Sequence, residues 1–375
     1  MRWFSRLPAL GLAAAAVLLT VPSRAADEEL PAGSDPPRLV PLASVDAYYA
    51  YHDTPPSGGD ATFTTTAVRH NEFQVNLVSV GARIEHAKLL GAVIVQSGTA
   101  ADVLYGQPST SPFANSETWK HIQEAHVGYR VGTDVAVEAG LFPAHFGKEG
   151  FTSFANWNYT RALIADATPY YLAGVKAKWD ASPALAFTAL VYNGWQALQD
   201  ANKYKSGGLR VDWTPSDKIT LFDAVSVGPE TGDGREIRYF DDLVVSLAPH
   251  PRLGIAAEGY VGLDRGQDKT RDGEFWGAAA WVRWFVGEST YFAVRGERLV
   301  DPSGLITGCG ARATCGGADG QKLLGGTFTL GWFPHPMLLA RAEVVHRRAD
   351  RAYFAAGRGA EDRTTTFVAS LVFSY

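Results

Sequence analysis

From Leu42 to the C-terminus the chain alternates apolar and polar residues in stretches of about ten, the length a tilted strand needs to cross a bilayer. The last twelve residues show the pattern most plainly. Phe367, Ala369, Leu371, Phe373 and Tyr375 share one face, and Thr366, Val368, Ser370, Val372 and Ser374 share the other. An apolar edge strand of this kind needs a partner, and pairing it with the first strand would close a barrel. Short connections fall at 131–134, 180–184, 214–218, 248–252, 287–290 and 333–337, with another near His86. Long polar connections fall at 52–72, 97–120, 147–169, 196–207, 228–236, 264–273, 302–321 and 350–363. The two kinds alternate without exception. This predicts an all-β fold: a transmembrane up-and-down antiparallel β-barrel of about 16 strands, within a range of roughly 14 to 18. Tight turns would lie at the periplasmic side and long loops outside, with both termini in the periplasm. A soluble sandwich or propeller would have shorter strands and no systematic loop asymmetry.

The alternation also assigns faces. In 274–288, Trp276, Ala278, Ala280, Val282, Trp284 and Val286 lie together, opposite Arg283. A basic residue facing lipid at the midplane costs about 2–4 kcal/mol, so Arg283 is expected inside. Trp276 and Trp284, roughly 25 Å apart along the strand, would join the two interfacial aromatic girdles. Trp281 falls on the inner face, where the sequence offers no reason for it. The same parity places Glu124, His126, Arg130, Glu138, Lys176, Lys178, Arg210, Asp212, Glu258, Tyr260, Arg295, Glu297, Arg341 and Glu343 inside. Their number predicts a hydrated lumen, because so many charges need solvation. A change of phase is expected near Gly81, before Arg83 and Glu85.

Composition strengthens this picture. The 375 residues include 39 Gly, 19 Phe, 15 Tyr and 10 Trp but only 2 Cys. Aromatic and glycine enrichment suits girdled β-structure. Arg2 and Arg6 precede an Ala/Leu-rich run to Val21, and Ser23-Arg24-Ala25 supplies small residues for cleavage. Residues 1–25 therefore read as a secretory signal peptide. Its removal takes away Arg2, Arg6 and Arg24 and no acid, so the net charge of −5 becomes −8. Residues 26–41 are acidic and Pro-rich and read as a disordered periplasmic lead-in, leaving 42–375 for the barrel. No later run is apolar enough for a transmembrane helix. Without a basic block, nucleic acid is an unsuitable partner.

The third long loop is the most distinctive segment. Lys148, Glu149, Arg161 and Asp166 are its charged members, and Phe151, Phe154, Trp157 and Tyr159 could pack it against the barrel wall. Exposing four rings is costly, which favours a loop folded into the lumen to form a constriction. A short helix is expected over 152–165, stopped before Pro169.

The run "GLF…FGKE…NWNYTR…P…GV", followed by "LVYNGW" (190–195), resembles the bacterial putative β-barrel porin-2 family, and more distantly the phosphate-selective porins. The resemblance is specific over 138–195 and general elsewhere. It implies an outer-membrane channel for small hydrophilic solutes, with no cofactor. It also implies that the C-terminal strand is read by the barrel-assembly machinery, although the family usually ends in Phe rather than Tyr375. Phosphate porins need stacked basic residues in the pore. Here inward Lys and Arg are offset by inward acids, so weak selectivity is expected. A homotrimer is compatible with a porin of this size.

Other chemistry is sparse. Cys309 and Cys315, in the seventh long loop, are expected to form a disulfide in an oxidising compartment. Two thiols with no neighbouring His or acid do not make a metal site. An enzyme on a barrel rim would need a nucleophile beside a His/acid pair. The nearest approaches, His346 with Asp350 and His52 with Asp53, lack one. The competing reading is a plugged structural or adhesive barrel that displays external loops. Conductance separates the two.

Overall fold

The computed structural model describes residues 36–375 except 57–58, 106–118, 199–201, 231–233, 235, 267–271, 308–319 and 358. Sixteen strands form one closed antiparallel barrel in sequence order. They are β1 (Arg38–His52), β2 (Glu72–Glu85), β3 (Leu89–Ser97), β4 (Ile122–Val131), β5 (Val135–Pro143), β6 (Tyr171–Ser182), β7 (Leu185–Tyr192) and β8 (Ser206–Ser216). The second half has β9 (Ile219–Pro229), β10 (Glu236–His250), β11 (Leu253–Gly266), β12 (Gly273–Phe285), β13 (Thr290–Asp301), β14 (Gln321–His335) and β15 (Leu338–Ala349). A small ribbon of β16 (Phe354–Ala356) and β17 (Gly359–Glu361) sits in the eighth long loop, and β18 (Arg363–Ser374) completes the barrel. Every short and long connection falls where the polar pattern places it.

The last strand closes the barrel as its composition requires. β18 pairs with β1 from Ser44↔Ser374 to His52↔Thr366. Beyond the register, Tyr375 and Ala43 exchange two backbone hydrogen bonds, of 2.8 and 3.2 Å. Among the described residues the sixteen-strand sheet is closed and has no free edge. β1 begins at Arg38, so residues 38–41 belong to the barrel and not to a lead-in.

The faces follow parity. Along β12 the burial alternates strictly from Gly273 to Val282, with Trp276, Ala278, Ala280 and Val282 outward. Arg283 points inward and Trp284 outward. The phase change on β2 lies earlier than the sequence indicates. Asn76 and Leu77 are consecutive and both buried. Gly81 marks a close approach instead: a Cβ there would meet the Val93 carbonyl at 2.2 Å.

A single helix longer than one turn, α1 (Thr99–Tyr105), lies among the described residues, in the second long loop. No helix there is long and apolar enough to cross a membrane.

Candidate functional site

The third long loop, residues 144–170, enters the barrel. It has a 3₁₀ turn at Ser153–Ala155 and one helical turn, α2 (Leu163–Asp166). The continuous helix expected over 152–165 does not form. Buried backbone groups must be paired, and here wall side chains and the loop's own Glu149 pair them. Glu343 on β15 accepts the N–H groups of Tyr159 (2.6 Å) and Thr160 (2.9 Å). Glu149 accepts that of Ala162 at 2.6 Å, and Glu297 on β13 accepts that of Leu163. Asp242 and Glu258 accept those of Gly147 (2.7 Å) and Lys148 (2.8 Å). The carbonyls are taken by guanidiniums. Arg341 donates to Ser153 O (2.6 Å), Arg295 to Thr160 O (2.6 Å) and Arg347 to Arg161 O (2.8 Å). A helix would compete for the same groups.

Arg161 is fully buried and acts inside the loop. It donates to Tyr159 O at 2.9 Å and to Phe151 O, so it staples the loop to itself rather than facing a passage. Tyr159 is equally buried and donates its hydroxyl to Asp46 on β1 at 2.8 Å. Phe151 packs on Tyr170 and Phe154 on Phe333. The ring of Trp157 carries Lys148 at 4.1 Å and Arg283 at 4.7 Å.

Glu149 explains Trp281. The indole N–H donates to Glu149 at 2.9 Å, and Arg295 pairs with the same carboxylate oxygen at 3.3 Å. An inward Trp is here the partner of a buried loop carboxylate. Burial would push the Glu149 carboxyl up, but Arg295 and Lys148 outweigh it and hold it below the ordinary range. Lys148 is lowered by burial, partly offset by Glu149 and Glu258. Asp166 is raised by burial, against the pull of Arg347 and hydrogen bonds from Thr65 and Tyr170.

Glu258, Arg295, Glu297, Arg341, Glu343 and Arg347 are therefore bonded to the loop rather than hydrated. The side chains of Arg295, Glu297 and Glu149 have no exposed surface. The number of inward charges predicts a hydrated lumen. On this side it is filled, because the loop backbone supplies the partners water would have supplied.

The opposite half differs. There a chain of charges runs along the inner face of β2 to β6. Arg83 meets Glu124 at 2.8 Å, Glu124 meets His126 at 3.4 Å, His126 meets Glu138 at 2.9 Å, and Glu138 meets Lys176 at 3.2 Å. Lys178 pairs with Asp180 (2.7 Å) and Arg210 with Asp212 (2.6 Å). Arg130 is half-buried on the inner face of β4. Between loop three and the β1–β4 wall lies a cavity of about 380 Å³. Asp46, Arg83, Gln96, Glu124, Phe151 and Tyr171 are among its lining residues.

Parity also places inward wall residues that the sequence analysis does not single out, the buried pair Arg238 and Asp264 among them. Asp46, Asp242 and Arg347 each share parity with recognised inward residues or inward rings, which was the available signal. The residues proposed as rim pairs are otherwise engaged. His52 contacts Ala67 O (3.0 Å) and Thr366 (2.9 Å), and His346 contacts Thr365 (3.1 Å). Asp350 accepts the Lys322 N–H at 2.8 Å. No group of three metal-binding side chains occurs among the described residues. Cys309 and Cys315 lie outside them.

Residues 42–375 match the family model described as "Putative beta-barrel porin-2, OmpL-like". Among solved structures the chain is similar to an anion-selective porin from Comamonas acidovorans, with a TM-score of 0.60 at 9% identity, covering 91% of this chain and 100% of that one. It is similar to the outer membrane channel DcaP of Acinetobacter baumannii, with a TM-score of 0.59 at 7% identity, covering 90% and 97%. It is also similar to in-vitro folded OmpT of Vibrio cholerae in its trimer form, with a TM-score of 0.58 at 8% identity, covering 91% and 100%. No curated protein matches the sequence.

Proposed function

The chain belongs to the putative β-barrel porin-2 family, and from that premise we propose a route for the solutes it passes. It is a channel of the bacterial outer membrane that admits small hydrophilic solutes by passive diffusion, and it is not an enzyme. The route runs between loop three and the β1–β4 wall. The observation that carries this is the cavity of about 380 Å³ at that place, with Arg83 and Glu124 on its wall. Loop three acts as the constriction, and Glu149, Arg161 and Asp166 hold its shape from within. Basic and acidic groups alternate along the open wall, which fits weak selectivity.

The trimer form of a structural neighbour supports a homotrimer for this chain. Cleavage near Ala25, contact with outer-membrane lipid, recognition of the last strand by the barrel-assembly machinery and a Cys309–Cys315 disulfide complete the reading.

The test is single-channel conductance in a planar bilayer, with the reversal potential taken across a salt gradient. Discrete steps that Arg83→Glu shifts toward cation preference support the route. Silence from protein shown to be folded and inserted would sink it and promote a plugged, loop-displaying barrel.

A further inference from the structure

The outward face of the barrel is uneven in charge. Within β2 to β9 every Lys or Arg (Arg83, Arg130, Lys176, Lys178 and Arg210) points inward. At the long-loop ends of β13 to β18 Arg347 turns inward, but other basic residues turn outward. Arg298, Lys322, Arg348 and Arg363 are all exposed on the outer surface.

Three of them stand in one row. Arg298 pairs in register with Leu324, Leu324 with Arg348, and Arg348 with Arg363. Neighbouring strands lie about 4.8 Å apart, so the row spans roughly 14 Å. Three arginines share the row with one paired acid: Asp362 lies 3.2 Å from Arg363 and 4.0 Å from Arg348, and Asp350, beyond the end of β15, accepts the Lys322 N–H. The Arg298 guanidinium lies 5.8 Å from the ring of the girdle residue Trp276.

Directly toward the membrane centre from Arg298 the surface is recessed. Gly296 and Gly326 are opposite one another, and nothing stands within 4 Å of where a Cβ would be on either. Val294, Leu324 and Phe328 border the recess, each at least 45% exposed. A basic row at the outer girdle, set above an apolar groove, matches one chemistry: an anionic head above acyl chains.

We infer that this face of β13 to β18 binds a phosphorylated glycolipid of the outer leaflet. The arginine row takes the phosphates, and an acyl chain lies across Gly296 and Gly326. Phosphate is matched by the planar fork of Arg, and three of the four basic residues are Arg.

The test uses the full mature chain, refolded in detergent, and native mass spectrometry to count retained lipid. The probe is purified bis-phosphorylated lipid A. Fully dephosphorylated lipid A and inorganic phosphate are the comparisons. The expected result is saturable retention of the phosphorylated form, weakened about fivefold for each arginine removed in Arg298→Ser, Arg348→Ser and Arg363→Ser. Arg252→Ser, in a short turn at the opposite end, changes nothing. Gly326→Leu weakens lipid A retention and leaves inorganic phosphate binding untouched. Equal retention by the triple variant, or equal retention of dephosphorylated lipid A, overturns the assignment. Loss of phosphate and lipid binding together in Gly326→Leu overturns the acyl groove. Folding is checked by heat-dependent gel mobility. If the triple variant does not insert, Arg298→Ser alone decides, since unchanged retention in it is equally fatal.

Discussion

On β13 and β15, Arg295, Glu297, Arg341 and Glu343 are almost wholly enclosed. On β6 and β8, Lys176 and Arg210 each keep 24% of their side-chain surface exposed. Both walls carry inward charges of both signs at alternate positions. What separates them is the object opposite. The first wall faces the backbone of loop three and spends its charges on peptide groups. The second is only partly covered: Lys176 pairs with Glu138 and Arg210 with Asp212, and Arg210 gives the loop a single hydrogen bond, of 2.9 Å to the His145 carbonyl. An inward charge read from a strand is therefore ambiguous until the loop is placed.

Four perturbations would break or sharpen this contrast. The largest effect should come from Glu343→Ala. It leaves two loop N–H groups and the hydroxyls of Thr160 and Thr329 without their acceptor. Breaking a buried charged anchor costs about 3–5 kcal/mol. Thermal unfolding should fall, and the channel should become wider and noisier in a bilayer. Unchanged conductance would mean that loop three does not bound the passage.

Arg161→Met comes next. Charged hydrogen bonds of this kind contribute about 1.5–3 kcal/mol. Conductance should change because the loop loses its internal staple, and Arg161→Lys should not restore it, since one ammonium cannot reproduce the fork. If Lys does restore it, charge alone is what matters there.

The third effect depends on pH. Burial raises the Asp166 carboxyl above its unfolded value, so its stabilising contribution is complete below the unfolded pKa. That contribution is lost as pH rises through the folded pKa. Loop docking, followed by conductance noise, should weaken over that window, and Asp166→Asn should remove the dependence. Glu149 has the opposite sign, because its carboxyl is held down. Its contribution disappears only as pH falls through its own lowered value.

The smallest effect belongs to the open wall. Lys178→Ala removes a pair in which both side chains are nearly half exposed. Such pairs contribute about 0–1 kcal/mol, so the unfolding transition should barely move. A loss like that of Glu343→Ala would erase the contrast between the walls.

Strands and faces were legible because lipid and lumen impose a period of two on every residue. Trp276 and Val282 could be placed outward from parity alone, and the strand count followed from the rhythm of the loops. The loop interior was not legible. Its helix was expected from local propensity, which cannot register that Glu343 and Arg295, more than 130 residues away, claim its peptide groups. Trp281 looked anomalous for the same reason. Its explanation, Glu149, is 132 residues away in sequence. The phase change on β2 was detectable but misplaced, since Gly81 is the residue that looks irregular and Asn76-Leu77 is where the irregularity lies.

The bonds between loop three and Glu343 also fix an order of events. Tyr159 and Glu343 are separated by 184 residues, and Thr160 by 183. The loop is carried by β5 and β6, and its chief acceptor by β15, so the bonds form only when both parts of the barrel are present. Until then its peptide groups remain with water. Filling of the lumen therefore accompanies completion of the barrel, whichever end is laid down first. A barrel that stalls before β5, β6 and β15 are all in place would be open in the middle as well as at the seam, and a protease admitted at 150–160 would distinguish it from the finished molecule.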